Sequence, residues 1–263
     1  MPANYSNIKF GTDGWRAVMA EDFTFANVRA VAQATADYFR RRKTRTTRKR
    51  MVVGYDRRFL SDEFAMAVAE VLAGNGYEVI LTNTPTPTPA VSWAVKAGQG
   101  RAGVMLTASH NPARFNGYKL KLDHGGPADP ETCLGVEALI GKHPVRAMPF
   151  KKAHSRKLIR IEDIRPKYYR ALRKLVNFKL IAKSGLRFGH EALFGVGAGC
   201  FEELLEGTNC EVTTFNGAHD PNFGGICPEP IARNYTATAE ALRRKPVDFC
   251  LVTDGDADRI GVV

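Results

Sequence analysis

No run of about 18 or more apolar residues occurs in this 263-residue sequence, so it lacks a segment able to cross a bilayer as a helix. The opening Met-Pro-Ala-Asn-Tyr-Ser has no apolar stretch of the kind a secretory signal needs, and a cytoplasmic address is expected. Cysteine is sparse. The five, at 133, 200, 210, 227 and 250, form no C-x-x-C pair, and their odd number argues against a disulfide framework. They are expected to be reduced and mostly buried. Acidic residues are also short, 27 against 38 Lys and Arg, for a net charge of +11. That excess is local: residues 40–50 carry eight positive charges and no negative one, so the rest of the chain holds only +3. Such a run is most often a solvated loop and less often a surface that meets RNA, an acidic partner or a membrane. It lacks the interleaved aromatics that stack bases, so neither a nucleic acid nor a membrane is expected as partner.

What is there is the balance of an ordinary globular protein, 44% hydrophobic and 25% charged. The length favours two compact units over one. Phe25, Val28, Val31, Ala32, Thr35, Tyr38 and Phe39 share one face at helical spacing behind a Thr24 cap, which predicts a helix over 25–41. A strand at 51–55, a helix capped by Ser61 and a strand at 77–81 follow. The Thr-Pro repeat at 84–89 reads as a loop, because three prolines remove donors and fix φ. A helix near 90–97 and a strand at 103–107 come next. In 118–122, Tyr118, Leu120 and Leu122 alternate with Lys119 and Lys121. After a helix from Pro130, the basic stretch Lys151 to Lys157 reads as a linker. Helices at 166–176, 200–206 and 235–244 then alternate with strands near 186–190, 212–215 and 249–253. Alternating strands and helices predict an α/β protein of two consecutive α/β/α domains with mainly parallel sheets, 1–155 and 156–263.

In open parallel sheets, binding residues gather beyond the carboxyl ends of strands. Asp254-Gly-Asp-Ala-Asp-Arg259 occupies that position in the second domain. Three carboxylates on alternate residues can converge, which is costly unless a cation compensates, and hard oxygen donors suit Mg²⁺. An EF-hand also opens D-x-D-x-D, but Arg259 stands where its Gly belongs. A solvated acidic turn is the plain alternative. In the first domain, Ser109 lies in a Ser-His-Asn-Pro turn directly after an apolar strand. Taken alone, that turn is equally a structural one, and no G-x-S-x-G elbow supports acyl transfer. Lys119 by itself also reads as a surface lysine.

Four segments taken in order are more specific. Phe10-Gly-Thr-Asp-Gly-Trp-Arg16, Thr107-Ala-Ser-His-Asn-Pro112, Asn116-Gly-Tyr-Lys119 and Asp254-Gly-Asp-Ala-Asp-Arg259 resemble the motifs of the α-D-phosphohexomutases, the family of phosphoglucomutases, phosphomannomutases and phosphoglucosamine mutases. Weaker matches lie at Tyr55-Asp-Arg-Arg-Phe-Leu-Ser61 and Phe223-Gly-Gly-Ile-Cys-Pro-Glu-Pro230. The resemblance implies that Ser109 carries a phosphoryl group and joins Asp254, Asp256 and Asp258 around Mg²⁺. It implies catalytic roles for Arg16, Lys119 and His110, with Lys119 a candidate general base, and phosphate or substrate binding by Thr12, Asn111 and Arg259. The implied reaction interconverts hexose 1- and 6-phosphates through a bisphosphorylated hexose, which is also the activator. The family's sugar-discriminating loop of the Gly-Glu-Glu-Ser-Gly type and its phosphate-binding loop of the Arg-x-Ser-Gly-Thr type do not occur here. A C-terminally truncated, phosphohexomutase-like chain of domains one and two is therefore expected, with the second incomplete. Gly189-His-Glu-Ala-Leu-Phe-Gly-Val-Gly matches a further segment that commonly has Asp where His190 stands. A truncated paralogue that only binds a metal, a phosphosugar or a partner is the competing expectation.

Overall fold

A computed structural model describes residues 5–263; residues 1–4, on which the reading of the N-terminus partly rests, lie outside the described residues. The chain divides into two compact units. The first holds the described residues up to Tyr55, Leu60–Ala108 and Arg114–Ile164, and the second holds Asp56–Phe59, Ser109–Ala113 and Arg165–Val263.

The first unit runs β1 (Trp15–Val18), α1 (Phe25–Arg41), β2 (Arg50–Tyr55), α2 (Ser61–Gly74), β3 (Glu78–Thr82), α3 (Thr88–Ala94), β4 (Ala102–Leu106), β5 (Phe115–Leu122), α4 (Pro130–Glu137), α5 (Phe150–Ser155) and β6 (Ile159–Glu162). Its sheet has the order β1-β5-β4-β2-β3-β6. The pairs β4/β2, β2/β3 and β3/β6 are parallel, while β5 runs antiparallel to both β4 and β1. α1 forms where its apolar stripe predicts, and Thr24 Oγ1 accepts from the Asn27 amide at 3.2 Å, a cap of about 1 kcal/mol. Val28, Val31 and Phe39 are fully buried in a core shared with Phe64 and Leu72 of α2 and Met51 and Val53 of β2. Each large side chain so buried contributes roughly 1.5–3 kcal/mol. α3 covers the opposite face, where Val91 and Met105 close around Gly54.

Several local expectations change. Ser61 does not cap α2; Leu60, in the left-handed region at φ 56°, precedes that helix, and the Ser61 hydroxyl accepts instead from Asn116 Nδ2 at 2.8 Å. The stretch read as a linker is α5 and the approach to β6. Ala153 is fully buried, the Phe150 amide donates to Glu70 Oε1 at 2.8 Å, and Ile159 pairs with Val79. Its basic residues mask a sparse apolar set because an edge strand and a one-sided helix need few core positions. The Thr-Pro repeat is a loop only to Pro87, since Thr88 opens α3 with proline in its first turn, where a missing N–H costs nothing. The basic run does not stand free of the fold. Arg42 meets Asp129 and Thr132, and Arg50 pairs with Glu78 at 2.6 Å. None of the five free cysteines is exposed, but only Cys133 and Cys250 are buried.

The second unit runs α6 (Arg165–Leu175), α7 (Phe178–Lys183), β7 (Arg187–Glu191), α8 (Cys200–Leu205), β8 (Glu211–Phe215), α9 (Thr236–Arg244), β9 (Phe249–Thr253) and β10 (Ile260–Val262). Its sheet has the order β10-β9-β7-β8, parallel except for the β9/β10 pair. Among the described residues no helix is long and apolar enough to cross a membrane.

Candidate active site

The acidic loop begins where β9 ends, and its shape is set by Asp254. That carboxylate turns back into its own loop: Oδ1 accepts from the amides of Asp258 and Arg259, both at 3.0 Å, and Ala257 adopts φ 55° to close the turn. The chain then returns antiparallel as β10, which rules out the helix that follows an EF-hand loop. Asp254 and Asp256 are fully buried and Asp258 is exposed; one carboxylate oxygen from each lies within 4.8 Å of the other two. Burial first, and then the charges of Asp256 and Asp258, push the Asp254 carboxyl up to about 8. Three converging hard oxygen donors whose ionisation is opposed in this way fit a divalent cation such as Mg²⁺. A solvated acidic turn does not fit, because two of the three side chains have left solvent.

Ser109 belongs to this unit. Its hydroxyl donates to Asp254 Oδ2 at 2.8 Å and lies 3.4 Å from His110 Nδ1, and its backbone takes φ 55°, uncommon outside glycine. Gly255 makes the approach possible, since a Cβ there would lie 2.5 Å from the Ser109 carbonyl oxygen. The structure thus brings Ser109 to Asp254, with His110 beside the serine; Asn111 lies in the same unit, its carbonyl accepting from Arg58 Nη2. Arg259 is exposed, and its recorded bond to Asp254 uses the backbone amide. His190 is fully buried with Nε2 3.0 Å from the hydroxyl of Thr253, the residue before Asp254. Burial lowers its pKa to about 4, so it sits there neutral.

The first unit holds Thr12, Arg16 and Lys119. Gly14, at φ 104°, brings the Thr12–Asp13 turn against β5, where a Cβ would come within 2.6 Å of the Tyr118 carbonyl oxygen. Lys119 is buried, not a surface lysine, and its ammonium lies 2.7 Å from Asp13. The same carboxylate lies 3.8 Å from Lys121 and 3.7 Å from Arg16. Thr12 is exposed beside a cavity of about 470 Å³ lined by Phe10, Cys133 and Glu137. Asp13 and Lys121 were not singled out from sequence. Asp13 lies inside a quoted motif, and Lys121 is two residues from Lys119 on the same strand face, which are the signals that could have found them.

A cation held by these carboxylates would bind in a pH-dependent way, because the Asp254 carboxyl is pushed up to about 8. Below about 8 a proton must leave before the cation enters, so Mg²⁺ affinity is expected to tighten about tenfold per pH unit from 6 towards 8. Asp254→Asn should bind weakly and lose that slope. Calorimetric titrations in two buffers of different ionisation enthalpy give both the affinity and the proton released, and a flat affinity from pH 6 to 8 would contradict the assignment.

Two family models match the chain: phosphoglucomutase/phosphomannomutase alpha/beta/alpha domain I over residues 7–145, and domain II over residues 166–263. A phosphoglucomutase/phosphomannomutase from Thermococcus kodakarensis is 29% identical over 250 residues, covering 95% of this chain and 54% of that protein. A crystal structure from Thermus thermophilus, provisionally called a phosphomannomutase, superposes with a TM-score of 0.88 at 37% identity, covering 100% of this chain and 57% of that one. An Aspergillus fumigatus N-acetylphosphoglucosamine mutase, solved with GlcNAc-6P and magnesium, shares the fold at 18% identity and a TM-score of 0.50, covering 99% of this chain and 51% of that one. The chain spans about half the length of the relatives it matches.

Proposed function

Because this chain belongs to the phosphoglucomutase/phosphomannomutase family, we propose that it is the phosphoryl-carrying half of a phosphohexomutase, cytoplasmic and acting on hexose phosphates. The observation that carries the reading is the Ser109 hydroxyl donating to Asp254 Oδ2 within a loop of three carboxylates. Ser109 accepts the phosphoryl group of a bisphosphorylated hexose and passes it to a sugar phosphate. In the forward step the P–O bond to Ser109 Oγ breaks, a P–O bond to the sugar hydroxyl forms, and the proton that this hydroxyl loses ends, in net, on Ser109 Oγ, which is again a hydroxyl.

Mg²⁺, which the Aspergillus relative holds together with GlcNAc-6P, would be held by Asp254, Asp256 and Asp258 and would neutralise phosphoryl charge. The chain's own residues do the rest. Arg16 and Lys119 offer the positive charge that phosphoryl transfer needs on its equatorial oxygens. The 2.7 Å ion pair with Asp13 suits the ammonium form of Lys119, so charge neutralisation is its best-supported part. A base role requires that this ammonium first give up its proton. His110, 3.4 Å from Ser109 Oγ, is within reach to hold a proton as the serine oxygen gains or loses phosphate. Thr12, Asn111 and Arg259 complete the reading as substrate-binding groups.

The test is single turnover. Protein carrying phosphate on Ser109, mixed with glucose 6-phosphate or mannose 6-phosphate, is expected to lose it with formation of a bisphosphorylated sugar, followed by ³¹P NMR. Lys119→Met should slow that step by about tenfold or more. Release of inorganic phosphate alone, unaffected by the sugar, would favour a phosphosugar-binding protein without transfer.

A further inference from the structure

We propose that Arg58 is the positioning residue of the Ser109 loop: its guanidinium holds the loop carbonyls inward and so delivers the Ser109 hydroxyl to Asp254. The proposal deepens the function inferred above and rests on it for its effect on transfer. Arg58 lies in none of the four principal motifs, yet it is the residue that grips the loop. Its side chain is completely buried, as is that of Asp56. A guanidinium leaves water only when its donors are well used, and its planar fork is suited to several acceptors at fixed angles.

The acceptors are the loop itself. Nη2 donates to the carbonyls of Ser109 and Asn111, both at 2.7 Å, and Nη1 donates to the carbonyl of Pro112 at 2.9 Å. Three carbonyls of one four-residue stretch therefore converge on one side chain. The fork is aimed from behind: Asp56 Oδ2 accepts from Nε at 3.1 Å, and Asp56 Oδ1 accepts from the Arg58 amide at 3.0 Å. The Phe223 ring packs against the guanidinium at 4.9 Å. The neighbouring Arg57 ties the same segment to the Gly217 carbonyl at 2.9 Å.

This grip answers a local problem. Ser109 sits at φ 55°, a conformation a serine keeps only when its surroundings over-determine it. Its carbonyl is also pressed onto Gly255 of the acidic loop. Holding the carbonyls on Arg58 leaves the hydroxyl free to face Asp254, 145 residues away in sequence. A lysine at 58 would keep the charge but present one point donor group where a planar fork spans three oxygens.

The experiment compares wild type with Arg58→Lys, Arg58→Met and Arg58→Ala. Short-time amide exchange of a peptide covering 109–113 reads the loop, and exchange in α1 and α2 reads the rest of the fold. The rate of Ser109 phosphorylation from glucose 1,6-bisphosphate with Mg²⁺ reads the consequence. Expected are faster exchange in 109–113 and loss of phosphorylation rate, each of about tenfold or more in the Lys and Met variants, with the apparent affinity for the bisphosphate unchanged and α1 and α2 undisturbed. Methylguanidine added to Arg58→Ala should recover part of the rate, which a general loss of stability would not allow. Wild-type exchange at 109–113 in Arg58→Met, or loosening spread evenly over both units in Arg58→Lys, would overturn the proposal. A wild-type chain that takes no phosphate counts against the proposed function, and the exchange data then decide the positioning role by themselves.

Discussion

Incubated with glucose 1,6-bisphosphate and Mg²⁺, the chain is expected to gain one phosphoryl group, and Ser109→Ala to gain none. The expectation rests on the bond from Ser109 Oγ to Asp254 Oδ2 at 2.8 Å, which holds the hydroxyl against the three-carboxylate loop. Phosphate on Ser109 adds about two negative charges next to three carboxylates, so the modification should hold only with a divalent cation bound. Mg²⁺ removal is therefore expected to abolish phosphorylation of wild type as thoroughly as loss of the hydroxyl does. Intact-mass spectrometry with peptide mapping reads both. The rate difference for Ser109→Ala should exceed roughly 10³-fold, equivalent to about 4 kcal/mol of barrier. Phosphate mapped to another residue, at the same rate in Ser109→Ala, would remove Ser109 from the mechanism.

Steady-state mutase turnover by the 263-residue chain is expected to fall at least roughly 10³-fold below that of a full-length relative such as the Thermococcus kodakarensis protein. A mutase must hold the non-reacting phosphate in either of two sugar orientations. The resemblance assigns that grip, and the choice of sugar, to loops that do not occur in this sequence. Single phosphoryl transfers at Ser109 need only one alignment; complete turnover needs two, with the bisphosphorylated sugar kept between them. Lost alignment costs several kcal/mol, and an open site lets water compete for the phosphoserine. A coupled assay with glucose 1-phosphate, the bisphosphate activator and Mg²⁺, run on both proteins, decides it. Comparable turnover would mean that these two domains build a complete site.

Much of the architecture was legible because it follows local periods. The stripe from Phe25 to Phe39 and the Thr24 cap fall on one helix, α1, whose range is Phe25–Arg41. The alternation of Tyr118, Leu120 and Leu122 with Lys119 and Lys121 puts the first three in the main core. What alternation could not say is that the second face is covered as well, which buries both lysines. The edge strand β6 escaped for a related reason. With Arg160 and Ile161 both exposed, only Ile159 is buried to mark it as sheet, and its partner β3 lies far earlier in the chain. Ser61 looked like a cap because serine before an apolar helix usually is one, but Asn116, distant in sequence, claims its hydroxyl.

The sequence by itself determined the family motifs, the alternating strands and helices, and the acidic spacing of Asp254, Asp256 and Asp258, because each of these is a pattern within a dozen residues. Their carboxylates meet through backbone bonds inside their own loop, so spacing alone was sufficient. Only the tertiary structure decided which groups support that chemistry. Asp13 gathers Lys119 and Lys121 because β1 and β5 are neighbours, and Ser109 reaches Asp254, 145 residues away in sequence, because the 109–113 segment packs within the second unit beside the acidic loop. Arg58 grips the serine loop for the same reason. Such contacts depend on which elements pair and on the burial that makes each ion pair or unmet carbonyl costly, and neither is written in the spacing of residues along the chain.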